Sequence, residues 1–255
     1  MDTVSLSARE ILPRLLEVEP RTEPQKEALS HLEGWDGDLA ADSVAACIYQ
    51  VWSTHIAEEI LLPKLGPELF THYHGRRPGT NAFQHQVLPN LLAYPSAVWF
   101  GAGGRPARHD TLRRALDRAI DELTAAFGED MASWRWGALH RVVFAHPLAL
   151  IRDLAGFFTG GVAEVGGDGQ TIHQSAFEPE RGYGVSVLPS WRHIIDLADI
   201  DASVGVHTAG QSGNPLSPHW NDLIPLWASG EYHPLPFTRA AVEAHAESTL
   251  TLLPG

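Results

Sequence analysis

At 255 residues, with 44 % apolar and 19 % charged residues, the chain has the composition of a folded globular protein large enough to bury a sizeable core. Its net charge is −13 and it holds no run of Lys or Arg, which argues against nucleic acid or an anionic membrane surface as a partner. A single cysteine, Cys47, excludes an intramolecular disulfide, and its setting in "AACIYQVW" marks it as a small buried hydrophobe.

No stretch approaches the roughly 18 apolar residues of a membrane span. The start, "MDTVSLSAREILPRLLEVEP", is amphipathic and charged and lacks the apolar core of a signal peptide. The first half reads as helices. "SARE" at 7–10 has the form of a capping box, with Ser7 as the cap and Glu10 reaching back. Ile11, Leu12, Leu15 and Leu16 follow at helical spacing, and Pro20 closes the element. A second helix runs through "PQKEALSHLEG" to Gly34. A third, "DSVAACIYQVWSTHIAEEILLPKLG", gathers Val44, Ile48, Val51, Trp52 and Ile56 on one face. "NAFQHQVLPNLLAY" is expected to be helical around Pro89. "DTLRRALDRAIDELTAAFG" is expected to be capped by Asp110 or Thr111 and closed by Gly128.

Near residue 130, Gly, Pro and aromatic residues become dense and the helical period fades. "LHRVVF", "GVSVLPSWRHIIDL" and "ASVGVHTAG" read as strands separated by glycine turns such as "GGDGQ", and "HWNDLIPLWASG" and "FTRAAVEAHAEST" as short helices. The prediction is an α+β chain, with a helical region over 1–130 and a strand-rich part over 131–255.

The stretch "TAGQSGNPLSPHWND", residues 208–222, sets Ser212 between two glycines with His219 and Asp222 downstream. A nucleophile elbow requires G-x-S-x-G; Gly210 fits, but Asn214 stands where the second glycine belongs, and Gly213 follows the serine directly. Gly213, Asn214 and Pro215 suit an ordinary turn. Among fourteen histidines, His72 and His74 in "HYH" have the spacing for one strand face, and His140 and His146 could share another. The first pair adjoins "GRRPGT" with no carboxylate between 69 and 109, so a metal site is not expected. Trp134, Trp136, Trp191, Trp220 and Trp227 read as aromatic core, with an acyl pocket as the alternative. "GGVAEVGGDGQT" lacks the order of a dinucleotide loop. The acidic pairs at 121–122 and 129–130 read as solvated helix faces and caps. No catalytic, cofactor-binding or metal residue is assigned from these patterns.

Five stretches, in order, resemble the C-terminal part of the β subunit in the penicillin amidase family of N-terminal-nucleophile (Ntn) hydrolases. They are "LEGWDGDLAADSVAACIYQVW" (32–52), "WRWGALHRVVFAHPL" (134–148), "GGDGQTIHQSAF" (166–177), "SWRHIIDLADID" (190–201) and "GQSGNPLSPHWNDLIPLWASGEYHPLPF" (210–237). The resemblance implies an acylase that hydrolyses linear amides such as those of β-lactams or acyl-homoserine lactones. In the family, a serine at the start of the β subunit attacks the acyl carbonyl, its own α-amino group acts as base, and a backbone amide and an asparagine hold the oxyanion. All of these residues precede the matched region, as does the calcium cluster of some members, so none is carried onto this chain.

The resemblance implies further that the strands belong to an αββα sandwich left incomplete here. Strands near 183–195 and 202–209 should then show open edges and uncovered apolar surface, and the isolated chain should aggregate or hold a loose β half. The implied partners are the N-terminal β segment, the α subunit and a small-molecule acyl amide. The implied compartment is periplasmic or extracellular, or cytoplasmic if the chain is a stand-alone product. Two other readings stand beside this one: a non-catalytic scaffold or interaction domain of the same fold, and an autonomous serine hydrolase using Ser212. Finally, Arg192 and Asp196 in "WRHIIDL" lie four apart on an expected strand, one face shared with Ile194, and are expected to anchor the sheet by charge-assisted hydrogen bonds rather than to react.

Overall fold

The computed structural model describes residues 1–74 and 86–253. It resolves two compact units: Met1–Val143 with Val162–Leu188, and Phe144–Gly161 with Pro189–Gly255. Helices come first and short antiparallel strands follow, so the α+β reading holds.

The first unit begins with α1 (Leu6–Leu15), whose buried face is Ala8, Ile11, Leu12 and Leu15. Its cap is Ser5, not Ser7: the Ala8 amide donates to the Ser5 hydroxyl at 3.2 Å. The helix starts earlier than the capping-box pattern suggests because Ser5 is tied down from outside, its own amide donating to the Gly37 carbonyl. Helix α2 (Glu23–Leu32) is capped by Thr22 and ends before Gly34, which takes φ +74°. Helix α3 (Val44–His74) is two helices in series, broken at Gly66. From Ala45 to Ala57 it is buried on every side, so Cys47, Tyr49, Gln50 and Ser53 are enclosed along with the expected Ile48, Val51, Trp52 and Ile56. This is a central helix, where the sequence suggested one apolar face.

Helix α4 (Leu88–Ala93) has Pro89 in its first turn, where the missing N–H costs nothing; the residues before it in the expected helix, 81–85, lie outside the described residues. After α5 (Ala97–Phe100), α6 (Gly104–Phe127) starts well before Asp110 or Thr111 and ends at Gly128, as its glycine predicts. It is the main neighbour of α3, and the Trp52 indole donates across the contact to the Leu112 carbonyl at 2.9 Å. Helix α7 (Trp136–Leu139) leads into β1 (Arg141–Ala145), which pairs with β2 (Thr159–Glu164). Strands β3 (Ala176–Phe177) and β4 (Val185–Val187) make a second small sheet.

In the other unit β5 (Trp191–Ile194) pairs antiparallel with β6 (Val204–His207), and β6 with β7 (His233–Pro234). The run read as one strand, 183–195, therefore divides at Pro189 between two sheets. Trp227, in α8 (Ile224–Ser229), is fully buried and donates to the Pro189 carbonyl at 3.0 Å. The outer edge of β5 carries no strand among the described residues; Trp191 and Ile194 on the strand and Leu197 beyond its end are exposed, Leu197 by 91 %. A second apolar stretch, Leu148, Leu150, Ile151 and Phe157, is likewise exposed. The expected open edge is thus found at β5 but not over 202–209, where β6 is paired on both sides by β5 and β7.

The last helix, α9 (Arg239–His245), is held by one side chain. Asp201 accepts from the amides of Phe237 and Thr238 at 2.8 Å each and from the Thr238 hydroxyl at 2.5 Å. The Thr238 hydroxyl, then the two amides, hold the Asp201 carboxyl below the usual carboxylate range. Asp201→Ala is expected to speed amide hydrogen exchange over 237–245 by about tenfold, the worth of roughly one charge-assisted hydrogen bond. Strand β6 itself should keep its protection. In the wild-type chain the same loosening should set in as acid titrates the depressed carboxyl.

Candidate functional site

The turn at 208–222 brings His219 and Asp222 together: Nδ1 of the imidazole meets the Asp222 carboxylate at 2.8 Å. That hydrogen bond raises the His219 pKa above its ordinary value. The pair has the geometry that orients the base in a hydrolytic triad, here on an exposed turn. Ser212 closes the turn: its hydroxyl accepts the Asn214 amide at 3.1 Å, and its own amide donates to the His219 carbonyl at 2.9 Å.

Gly210 explains the glycine in that motif. A Cβ there would collide with the His219 carbonyl oxygen and stand 2.7 Å from the Asp222 carboxylate. The glycine is required by close backbone approach, not by a strand-to-helix elbow, and Gly213 has open space around it.

A second constellation is buried in the first unit and was not visible in the sequence. Asp168, 1 % exposed, lies in the loop that follows β2. Its Oδ1 accepts from the amides of Gln170 (2.8 Å) and Thr171 (3.1 Å), and its Oδ2 accepts from the Gln50 side chain of α3 at 3.1 Å. The Gly167 amide donates to the Leu39 carbonyl at 2.8 Å, and the Trp136 indole donates to the Gly167 carbonyl at 3.0 Å. The glycine-rich stretch is thus a packed loop cradling a carboxylate. Through these bonds Asp168 fixes the loop to α3.

His140 borders this region. It stacks on Trp136 with ring centroids 4.4 Å apart, and its Nδ1–H donates to the Tyr183 carbonyl at 2.7 Å. Burial lowers its pKa to about 4, so the ring is a neutral core residue. It is the C-cap of α7 rather than a strand residue, and His146 caps a short 3₁₀ turn by accepting the Leu148 amide; the expected shared strand face does not form. His72 lies on the second segment of α3, a helix rather than a strand, and the side chain of His74 lies outside the described residues. Among the described residues no group of three or more His, Cys, Asp or Glu is placed to hold a metal ion.

Trp134, Trp136 and Trp227 are core, as expected, whereas Trp191 is 43 % exposed and Trp220 half-buried. Cys47 is sealed, its thiol pushed up to about 12 by burial and by Glu122. Arg192 does anchor the sheet, donating to the Trp227 carbonyl at 2.6 Å and lying over the Trp227 and Tyr232 rings. Asp196 stands beyond the end of β5 and accepts the Ala198 and Asp199 amides instead, closing a turn. Ile194 is exposed. Asp130 is a cap, as read, but Glu122 is more than a solvated helix residue: it binds the buried ring of His55 at 2.7 Å.

Against known proteins, the family model described as penicillin amidase matches residues 1–244. Acyl-homoserine lactone acylase QuiP of Pseudomonas syringae pv. syringae (strain B728a) is 31 % identical over 235 residues, 90 % of this chain and 28 % of the relative. Penicillin acylase 2 proenzyme of Pseudomonas sp. (strain SE83) is 25 % identical over 235 residues, 91 % of this chain and 29 % of the relative. This chain therefore spans less than a third of the length of these relatives. The thermostable penicillin G acylase from Alcaligenes faecalis shares the fold, with a TM-score of 0.56 at 19 % identity over 100 % of this chain and 47 % of that one. With a helical first half and small antiparallel sheets like those of that fold, and on the span of the family match, this chain belongs to the penicillin amidase family.

Proposed function

We propose that these residues are the C-terminal scaffold of an acylase that hydrolyses linear amides, of the kind named in its relatives, with the nucleophile supplied by a segment outside them. The observation that carries this reading is the Ser212 turn: the Ser212 hydroxyl accepts the Asn214 amide, and among the described residues no hydrogen bond joins it to the His219 ring of the His219–Asp222 pair. Family membership supports amide hydrolysis as the reaction, and the short span relative to the relatives supports a division of labour along a longer chain.

In that reaction a nucleophile adds to the acyl carbonyl, and donors stabilise the resulting oxyanion before the amine leaves. The role proposed for this chain is to hold the framework: α3 against α6, and the Asp168 loop against α3. The test is an assay of the purified chain with acyl anilides and acyl-homoserine lactones, alone and with the Ser-led upstream segment of its locus co-expressed. No turnover is expected from the chain alone, and Ser212→Ala should leave the co-expressed activity unchanged. Turnover by the chain alone that disappears in Ser212→Ala would overturn the proposal and establish an autonomous hydrolase. Inactivity of the co-expressed pair would favour a non-catalytic scaffold instead.

A further inference from the structure

The chain as a whole is strongly anionic, yet one cleft in its first unit is lined with arginine. The cleft, of about 430 Å³, lies beside the first turns of α6 and is bordered by Arg21, Arg105, Arg113, His109, Pro106 and Glu19. Two carboxylates at its margin are shared among four guanidinium groups. Arg105 and Arg108 both donate to the same oxygen of Glu17, at 2.8 and 2.6 Å, and Arg21 and Arg113 both donate to the same oxygen of Asp110. The cleft's own lining holds three arginines and one carboxylate, Glu19, a local positive excess in a protein of net charge −13.

The unused donors lie at the mouth. Arg21 and Arg105 are each 68 % exposed along the side chain, and each commits one terminal nitrogen to its carboxylate. The remaining N–H groups of a guanidinium form a planar fork that matches the paired oxygens of a carboxylate or phosphate. His109 adds a donor of fixed tautomer. Arg108 donates to its Nε2 at 3.2 Å, which leaves the proton on Nδ1. Burial and the surrounding arginines, Arg108 first among them, lower its pKa and keep the ring neutral.

We propose that this cleft is a binding site for a small oxyanion, the carboxylates or phosphate of a metabolite, gripped between Arg21 and Arg105. The site is independent of the acylase chemistry proposed above. It is tested by calorimetric titration of the full 255-residue chain with sodium phosphate and with sodium succinate, in chloride buffer at constant ionic strength. One saturable site per chain is expected. Replacing Arg21 and Arg105 together by Gln should weaken binding by at least about tenfold, the loss of roughly one charge-assisted bidentate contact. Replacement by Lys, which keeps charge but not the fork, should recover only part of it. Circular dichroism should match the wild type, since both side chains are largely exposed. Saturation by phosphate alone would assign the site to phosphate esters, and by succinate alone to dicarboxylates. Heats no larger than those of chloride, or binding unchanged in the double Gln variant, would overturn the proposal.

Discussion

Gly167→Ala is expected to destabilise the protein by about 3 kcal/mol or more, from backbone strain and overpacking together. Gly167 takes φ +84°, a region that L side chains rarely adopt, and a Cβ there would collide with the His173 carbonyl and stand 2.7 Å from the Thr171 hydroxyl. Neither obstacle can move cheaply. The His173 carbonyl already accepts the Thr171 hydroxyl at 2.7 Å, while Gly167 itself bonds Leu39 and Trp136. A shift of the loop would also withdraw Asp168 from Gln50, leaving a buried amide and carboxylate short of partners. Urea denaturation measures the loss. Gly213→Ala, at a position with nothing within 4 Å, is the matched control and should stay within about 0.5 kcal/mol of wild type. Equal stability of the two variants would mean that the Asp168 loop does not hold the first unit together.

The second large effect is a pH dependence centred on His55. Its ring bridges two carboxylates, Glu122 of α6 at 2.7 Å through Nε2 and Glu58 of α3 at 3.2 Å through Nδ1. Two acceptors on two ring nitrogens require both to carry protons, so the arrangement selects the imidazolium. Burial works against that charge, but the hydrogen bonds the ring donates to Glu122 and Glu58 outweigh it and the pKa lies above the ordinary 6.5. Glu58 moves the other way, held below its ordinary 4.5 by His55 first and by Arg118. Arg118 and Arg114, both on α6, also pair with Glu59, so the cluster joins the two long helices.

For a histidine whose folded pKa is raised, the stabilisation is complete below the unfolded value and is lost as pH climbs through the folded value. For Glu58 it is complete above the unfolded value and is lost as pH falls through the lowered one. The clasp should therefore be strongest between the two ordinary values, 4.5 and 6.5, and weaken on either side. Denaturation at pH about 6 and about 9 should show a drop that His55→Gln largely removes, at a cost near 2 kcal/mol at the lower pH. His219→Gln, at an exposed histidine, should leave the drop in place. A pH profile unaltered by His55→Gln would show that the clasp does not contribute.

What the sequence made legible was local. The turn at Ser212 could be read because the elbow pattern is five residues long, and the His219–Asp222 pair because its members are three apart. Helices α1, α2 and α6 and strands β1, β5 and β6 announced themselves through their own periodicity and their glycines. The Asp168 cradle was illegible because Gln50 lies 118 residues away, and a lone aspartate among glycines gives no sign of burial. His55 and Glu122, 67 residues apart, were likewise read separately, one passed over and the other taken as solvated. Strand β2 was missed because "TGGVAE" carries two glycines where a strand normally shows branched residues. Its Gly160 and Gly161 instead admit Ile224 against the backbone, at 3.4 and 3.7 Å from where a Cβ would stand.

The first unit is discontinuous in the chain, and that has a consequence for synthesis. Its helices are all translated by Val143, but the loop carrying Asp168 and the strands β3 and β4 arrive only as translation approaches Leu188, 45 residues later. At roughly 5–20 residues per second this is a wait of about 2–9 s. During it α3, destined for burial on every side over Ala45–Ala57, stands without the lid that Gln50 and Trp136 will later bind. A ribosome stalled near Val143 would present a helical nascent chain with its central helix partly bare, the kind of surface that chaperones hold, whereas one stalled beyond Leu188 would present a closed one.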